Sequence, residues 1–529
     1  MNVWFKWGRN SNAAIVSVFL ILLVNGMVAY FAQVPAGGQD SWNHFLYARW
    51  APFHPNLLLD QWGKPFFTLM ALPFARFGIN GVLLMNHLCI VGTAWITYLS
   101  ARRMGFKNPW MVIFLFAWQP IVLANVHSAL TEPSNAFILI IICYLFASAR
   151  WVSATIVASF LPLVRSEGFV LLAAILLMLA LRNRWKIMPF AFIGILLYAI
   201  VGALIDGHWN WIVTKNPYIQ QEIGVGFDAG HGNFWYYALN QKHIAGMIVG
   251  MMVLLSMILL GIYVFKRIQK KTPSNANQMA LWLWWPLFSF FFLAHSILWW
   301  KGAMGSHGLL RVFVVVSPIM ALLAHQVLDT LMRLEIRWLN RLVKYFVVLG
   351  MFFLAFPGAG MPYPWNMNHH DKTPISGSLF NPKENKLLQN PIEQALNFIA
   401  KSPYKDNLLS HQLPMVNVFC NFDPWAADGQ LHPIDKFGNW GNPLPVSQWP
   451  SESRALYLWS LDSKEGGKND WFPEGTIVLW DNFHARRDGN KSLETMRSLT
   501  LYKELVFFKG NTLDSLDDVR VFIKTTHSD

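Results

Sequence analysis

The stretch GGQDSWNHFLYARWAPFHPNLLLDQWGKP, residues 37–65, follows the first long apolar run of the chain and decides how the rest is read. It combines Asp40 with two histidines and three tryptophans. Between Gly38 and Pro52 the residues Trp42, Phe45, Leu46 and Trp50 recur at helical spacing, which predicts a short helix with one apolar stripe. Aromatics of this kind suit the membrane–water interface, so the helix is expected to lie along a membrane surface. Pro52 and Pro55 end it before a second segment, Lys64–Phe77, turns back toward the bilayer. Asp40, at the helix start, is placed to cap the free N–H groups of the first turn. An acid at a membrane boundary with His44 four residues on also points to function.

Composition supports the membrane reading. The chain has 529 residues, 54% hydrophobic and 13% charged, whereas soluble domains carry about a quarter charged residues. Long apolar runs recur to about residue 357, many near the roughly 20 residues that cross a bilayer as helix. Residues 1–357 hold 25 basic and 9 acidic side chains, residues 358–529 hold 17 and 20. The expected fold is therefore a polytopic α-helical membrane protein, 1–357, with a small soluble α/β domain at 358–529. Its linker is FPGAGMPYPWNMNHH, 356–370, rich in glycine and proline. TIVLW (476–480) and ELVFF (504–508) read as strands, PIEQALNFIA (391–400) as helix, and WDNFHARRDG (480–489) as a plain loop after a strand.

The net charge of +13 lies mostly in short loops between apolar runs, where topology accounts for it, so nucleic acid is not an expected partner. Three cysteines, two of them in apolar runs, exclude a disulfide framework in the soluble part. The first apolar run, about 12–34, exceeds the core of a secretory signal and reads as a retained helix.

Clusters of Lys and Arg at alternate gaps mark one side of the membrane as cytoplasmic. They divide the chain into eleven spans near 12–34, 81–101, 109–127, 134–149, 151–164, 168–182, 187–205, 244–265, 279–300, 309–328 and 342–357. The N-terminus is then inside and the C-terminal domain outside. Asp40, Asp60, Glu132, Glu167, Asp206, Glu222 and Asp228 all fall on the outer side, with Asp329 and Glu335 inside. His208, His231, Lys301, His307 and Arg311 also lie at outer ends or in outer loops.

Several of these outer residues carry candidate chemistry. Glu132, before Pro133, is a helix-start acid. Arg165 and Glu167, two apart, do not face one another on a helix, so each is expected to pair with another helix. His307 and Arg311, four apart, would share a helical face, and Arg311 suits bidentate phosphate recognition with Lys301 as a nearby point charge. The aromatic outer segment 205–237 suits stacking on sugar rings, a mobile loop over the site, or an interfacial belt.

The order of first span, outer Asp40, interfacial helix, Gly-Lys-Pro (63–65) and a span ending in ARRMG (101–105) resembles the GT-C membrane glycosyltransferases. Within them it is nearest the protein O-mannosyltransferase and lipid A aminoarabinose transferase branch. LTEP (130–133), LVRSEG (163–168) and an outer Arg before an apolar run ending in Ser-Pro (311–318) carry the same likeness, over roughly residues 12–330. Two positions depart from the branch: Gln39-Asp40-Ser41 stands where an Asp-Glu pair is usual, and Phe66 follows Gly-Lys-Pro instead of a second proline.

The resemblance implies transfer of a sugar from a polyprenyl-phosphate donor to an extracytoplasmic acceptor, with inversion. It assigns Asp40 as catalytic base with Glu132 in support, and Arg311, Lys301 and His307 to the donor phosphate. His44, Lys64, Arg165, Glu167, His208 and His231 are the expected substrate-binding residues. No cofactor is required. A divalent metal, where relatives use one, would take Asp40 and Glu132, though no His or Asp spacing demands it. The expected location is a bacterial inner membrane with the site facing the periplasm; an endoplasmic reticulum membrane would have the same topology. The rival readings are a lipid-linked-sugar transporter or flippase, which would spread charges through the membrane depth, and a non-catalytic envelope assembly subunit.

Overall fold

The computed structural model describes residues 9–32, 35–214, 230–268, 275–304 and 306–350, and a series of segments between 389 and 525. The 357/358 boundary, the linker, and Glu222 and Asp228 lie outside the described residues, as does most of WDNFHARRDG.

Among the described residues six helices are long and apolar enough to cross a membrane: Ser11–Tyr30, Ile79–Arg103, Trp185–Ile205, Gly246–Phe265, Asn277–Lys301 and Leu310–Met332. Each coincides with an expected span. The other expected spans are shorter. The 109–127 run is split into Met111–Ala117 and Pro120–Asn125, because Gln119, ahead of a proline, is driven to an extended conformation at ψ 129°. Glu132–Ala147, Trp151–Val164 and Gly168–Leu181 are single short apolar helices. The last is described only as Arg337–Tyr345 and its continuation to Gly350.

Leu310–Met332 is the axis of the bundle, and its apolar window is wholly buried. It opens as a 3₁₀ helix, Leu310–Val316, and becomes α-helical at Ser317, with Pro318 in the first turn. Lipid supplies no hydrophobic drive between helices, so close approach depends on small residues. At Gly92 a Cβ would stand 2.6 Å from the Phe137 ring, and this glycine lets Ile79–Arg103 lie against Glu132–Ala147.

The opening stretch forms helix Gln39–Trp50, the 3₁₀ turn Pro55–Leu59 and helix Pro65–Ala75. The first helix does not lie exposed along a surface. Phe45, Leu46 and Tyr47 are buried among Phe67, Val82 and Met85, while Trp42 enters a separate core with the C-terminal segments. The stripe is divided between two protein surfaces.

Those segments build a five-stranded sheet from β1 (Leu409–His411), β2 (Ala455–Tyr457), β3 (Ile477–Asp481), β4 (Tyr502–Phe508) and β5 (Val519–Lys524). Their order is β2-β1-β3-β5-β4. β1 runs parallel to β2 and β3, and β5 runs antiparallel to β3 and β4. β3 is buried along its whole length, in keeping with its apolar run Ile477–Trp480. Helix Gln389–Lys401 covers one face through Ile392, Ala395 and Ile399. This unit grips the first outer helix: Gln39 Oε1 accepts the Met415 N–H at 3.1 Å, and Trp42 meets Phe419 edge-on at 5.5 Å. Tyr47 meets Trp425 at 5.1 Å, and His54 Nε2 lies 2.9 Å from Asp423 Oδ2.

Candidate active site

Two irregular backbone segments meet where Asp40 begins. The Ala36 N–H donates to the His127 carbonyl at 2.7 Å, Ser41 Oγ accepts the Ala129 N–H at 3.1 Å, and Asn86 Nδ2 donates to the carbonyls of Ser128 and Leu130, each at 2.7 Å. Irregular backbone at membrane depth needs such partners. Gly37, at φ 90°, passes so close to Leu130 that a Cβ would lie 2.5 Å from its side chain. This stitching brings Asp40 alongside Glu132.

Asp40 is the second residue of its helix, not the cap. The cap position is Gly38, without a side-chain hydrogen bond, and the Asp40 carboxylate accepts a hydrogen bond from Arg311 Nη2 instead. Arg311 reaches the Gly37 carbonyl with Nη1 at 3.4 Å and pairs Nε with Glu132 Oε1 at 3.3 Å. Glu132, first in its helix with a side chain only 2% exposed, also lies 2.9 Å from Arg165 Nη1. Arg165 grips both oxygens of Glu167, at 2.6 Å and 3.2 Å, and donates to Thr131 Oγ1 at 2.7 Å.

Arg165 and Glu167 therefore do face one another, contrary to the helical argument, because Arg165 is extended, at φ −154° and ψ 147°, between two helices. Its pairing with Glu132 on another helix is as expected. His295 Nε2 stands 3.8 Å from Glu167. The result is a ladder of alternating charge, Asp40–Arg311–Glu132–Arg165–Glu167, closed by His295.

Lys64 and His44 border this ladder. Lys64 takes a left-handed φ of 63°, is 6% exposed and donates Nζ to the Gln61 carbonyl at 3.0 Å and Ser166 Oγ at 3.1 Å. His44 stacks on Trp62 at 4.9 Å, and its Nδ1 has no hydrogen-bond partner among the described residues. Burial pushes the His44 ring down to about 3, against the pull of Asp40, so it is neutral at physiological pH. Burial alone would raise the Asp40 carboxyl, but the Arg311 guanidinium holds it below the ordinary carboxylate value. Burial wins at Asp60, which is lifted to about 6 although it accepts the Gly63 N–H at 2.6 Å.

Four expected residues sit differently. His307 and Arg311 share no helical face, because His307 and Gly308 both take left-handed φ, at 48° and 61°, before the helix starts at Leu310. His307 still acts electrostatically on Asp40. Lys301 is exposed with Nζ 4.1 Å from the Trp300 ring centroid. His231 lines a separate open cavity of about 620 Å³ with Asn233, Phe234, Trp235 and Trp300. His208 is exposed in the loop after helix Ile193–Asp206.

Sequence reading missed His295, Asn86, Ser41 and Ser166. Of these only His295 carried a usable signal, an ionisable residue inside an apolar run. A divalent metal does not fit Asp40 and Glu132 as they stand, since both carboxylates turn to the Arg311 guanidinium and Arg165 adds a second positive charge. Among the described residues no three His, Cys, Asp or Glu side chains gather to hold a metal.

The fold is that of solved structures of ArnT from Cupriavidus metallidurans, to which the chain is similar over almost its whole length. With that protein bound to undecaprenyl phosphate the TM-score is 0.57 at 14% identity, covering 96% of this chain and 97% of the other. With its apo state the TM-score is 0.54 at 13% identity, covering 96% and 98%. No protein-family model and no curated protein matches the chain.

Proposed function

We propose that this protein is an integral membrane glycosyltransferase that moves a sugar from a polyprenyl-phosphate donor to an extracytoplasmic acceptor, with inversion at the sugar carbon. The observation that carries the reading is the contact of a half-exposed acid, Asp40, with a buried arginine, Arg311, at one end of the GT-C fold. The similar structure of ArnT holds undecaprenyl phosphate, a lipid of the donor class.

The acceptor hydroxyl attacks the anomeric carbon from the face opposite the phosphate. The carbon–oxygen bond to phosphate breaks, the bond to the acceptor forms, and the hydroxyl proton passes to Asp40. Phosphate leaves without protonation, so one carboxylate suffices, unlike the acid and base pair of glycoside hydrolysis. The departing polyprenyl phosphate gains negative charge, which Arg311 meets with fixed N–H donors and Lys64 with a buried ammonium. Glu132 and Glu167 hold the two arginines in place, and neutral His44 lies one turn from the base. Lys301 and His231, away from the ladder, belong with Trp235 and Trp300 to an outer rim suited to the acceptor's sugar rings. The site and the sheet face the periplasm of a bacterial inner membrane.

A transporter would need ionisable groups through the membrane depth. The buried ion pairs described here instead gather in one layer. The test compares envelope glycans and glycolipids by mass spectrometry in cells with no protein, wild type, or Asp40→Asn at equal abundance. A glycan present only with wild type identifies the sugar by its mass. Wild-type glycans with Asp40→Asn would remove Asp40 from the catalytic role.

A further inference from the structure

The contacts of Arg311 raise a conflict within the proposed reaction, on whose donor-phosphate reading the following rests. Arg311 is already engaged on three sides, by the Asp40 carboxylate, the Gly37 carbonyl and the Glu132 carboxylate. A phosphate monoester or diester arriving at the same guanidinium needs the fork of N–H groups that now faces Asp40. It also brings negative charge to within a few ångströms of that carboxylate, and two anions sharing one small site repel.

The two acids holding Arg311 differ in their freedom to leave. The Glu132 side chain is 2% exposed and is bound to Arg165 as well, so it cannot move without stranding a buried charge. The Asp40 side chain is 41% exposed and sits in the first turn of a helix whose cap makes no side-chain hydrogen bond. Asp40 is the partner that yields. Asp40 is also the proposed acceptor of the hydroxyl proton, and while its carboxylate is tied to Arg311 its basicity is suppressed.

We propose that Asp40 and the donor phosphate compete for Arg311, with Glu132 as the positioning residue that keeps the guanidinium fixed while its outer partner is exchanged. Without donor, Asp40 is a restrained, weak base. Phosphate binding takes Arg311, frees Asp40 into the open side of the site and raises its proton affinity, so the base is armed only when a sugar donor is seated. After transfer, Asp40 loses its proton to water and returns to Arg311, which assists departure of the spent polyprenyl phosphate. Donor binding thus precedes acceptor activation.

The experiment measures the affinity of purified full-length protein in detergent for undecaprenyl phosphate, in wild type, Asp40→Asn, Asp40→Ser, Arg311→Gln and Glu132→Gln. Size-exclusion profiles check folding. Removing a competing carboxylate that contacts the shared cation should tighten binding about tenfold in both Asp40 variants. Arg311→Gln should weaken it by a similar factor or more. Glu132→Gln releases the guanidinium from its inner anchor and should weaken phosphate binding, by less than Arg311→Gln does.

Unchanged or weaker binding in the Asp40 variants, with Arg311→Gln still impaired, overturns the competition and leaves the glycosyltransferase reading standing. Wild-type binding in Arg311→Gln overturns both the competition and the assignment of Arg311 to the phosphate. Two Asp40 variants with different side chains keep the result independent of any one of them failing to fold.

Discussion

The two ends of the helix bundle both carry paired arginines and acids, and they are built differently. At one end Arg333 pairs with Asp329 one helical turn away at 2.7 Å, and Lys107 pairs with Glu335 at 2.9 Å; the Arg333 and Glu335 side chains are 54% and 77% exposed. At the other end Arg311 and Arg165 are shared among Asp40, Glu132 and Glu167, which come from three distant parts of the chain. Ion pairs that water can solvate cost little to make and contribute little. Buried, shared ones are expensive, and a chain that keeps them at one end only has a use for charge there.

This contrast can be broken most directly at the acids. Asp40→Asn should lower transfer by about 10²–10⁴, the usual effect of removing a general base, whereas Asp329→Asn at the opposite end should leave the transfer rate unchanged. Glycan turnover in matched cells reads both. In stability, Glu132→Gln removes the buried carboxylate shared by Arg311 and Arg165, which keep Asp40 and Glu167, and should cost about 1.5–3 kcal/mol, seen as a drop in melting temperature in detergent. Asp329→Asn loses charge-assisted bonds to the Lys107 N–H and Arg333 and should cost about 1–2 kcal/mol.

A pH series sharpens the comparison further. Asp60 near the site has its folded value raised to about 6, above the unfolded value of about 3.9. The folded state then binds more protons than the unfolded state between about pH 4 and 6, so stability falls as pH rises through that window. Asp60→Asn, which keeps an acceptor for the Gly63 N–H, should flatten that part of the melting-temperature profile. The smallest effect belongs to the exposed end: Glu335→Gln should leave the melting temperature unchanged.

Much of the fold was legible in the sequence because a membrane leaves few solutions. Apolar runs of sufficient length became the six long helices, and charge placement correctly separated Asp329 and Glu335, which cluster with Lys107 and Arg333, from the acids around Arg311. Which residues share an end of the bundle follows from one-dimensional order; position around the bundle does not. Lys301, His231 and His208 were therefore grouped with Arg311 although they lie in other places. Helical spacing misled wherever the backbone left the helix: extended Arg165 reaches Glu167, and left-handed His307 and Gly308 separate His307 from the Arg311 face. Asn86 and Ser41, which set the approach of Asp40 to Glu132, do so by bonding backbone carbonyls and N–H groups that no sequence pattern marks.

The grip of the sheet unit on the first outer helix has a consequence for the order in which the molecule is completed. Gln39 and Met415, joined by one hydrogen bond, are 376 residues apart, and Trp42 shares its core with β5, near the end of the chain. The residue next to Asp40 therefore lacks its partner until the chain has been made as far as residue 415. The bundle helices that precede residue 350 are made before that partner exists, so the helix carrying Asp40 is clamped only after them.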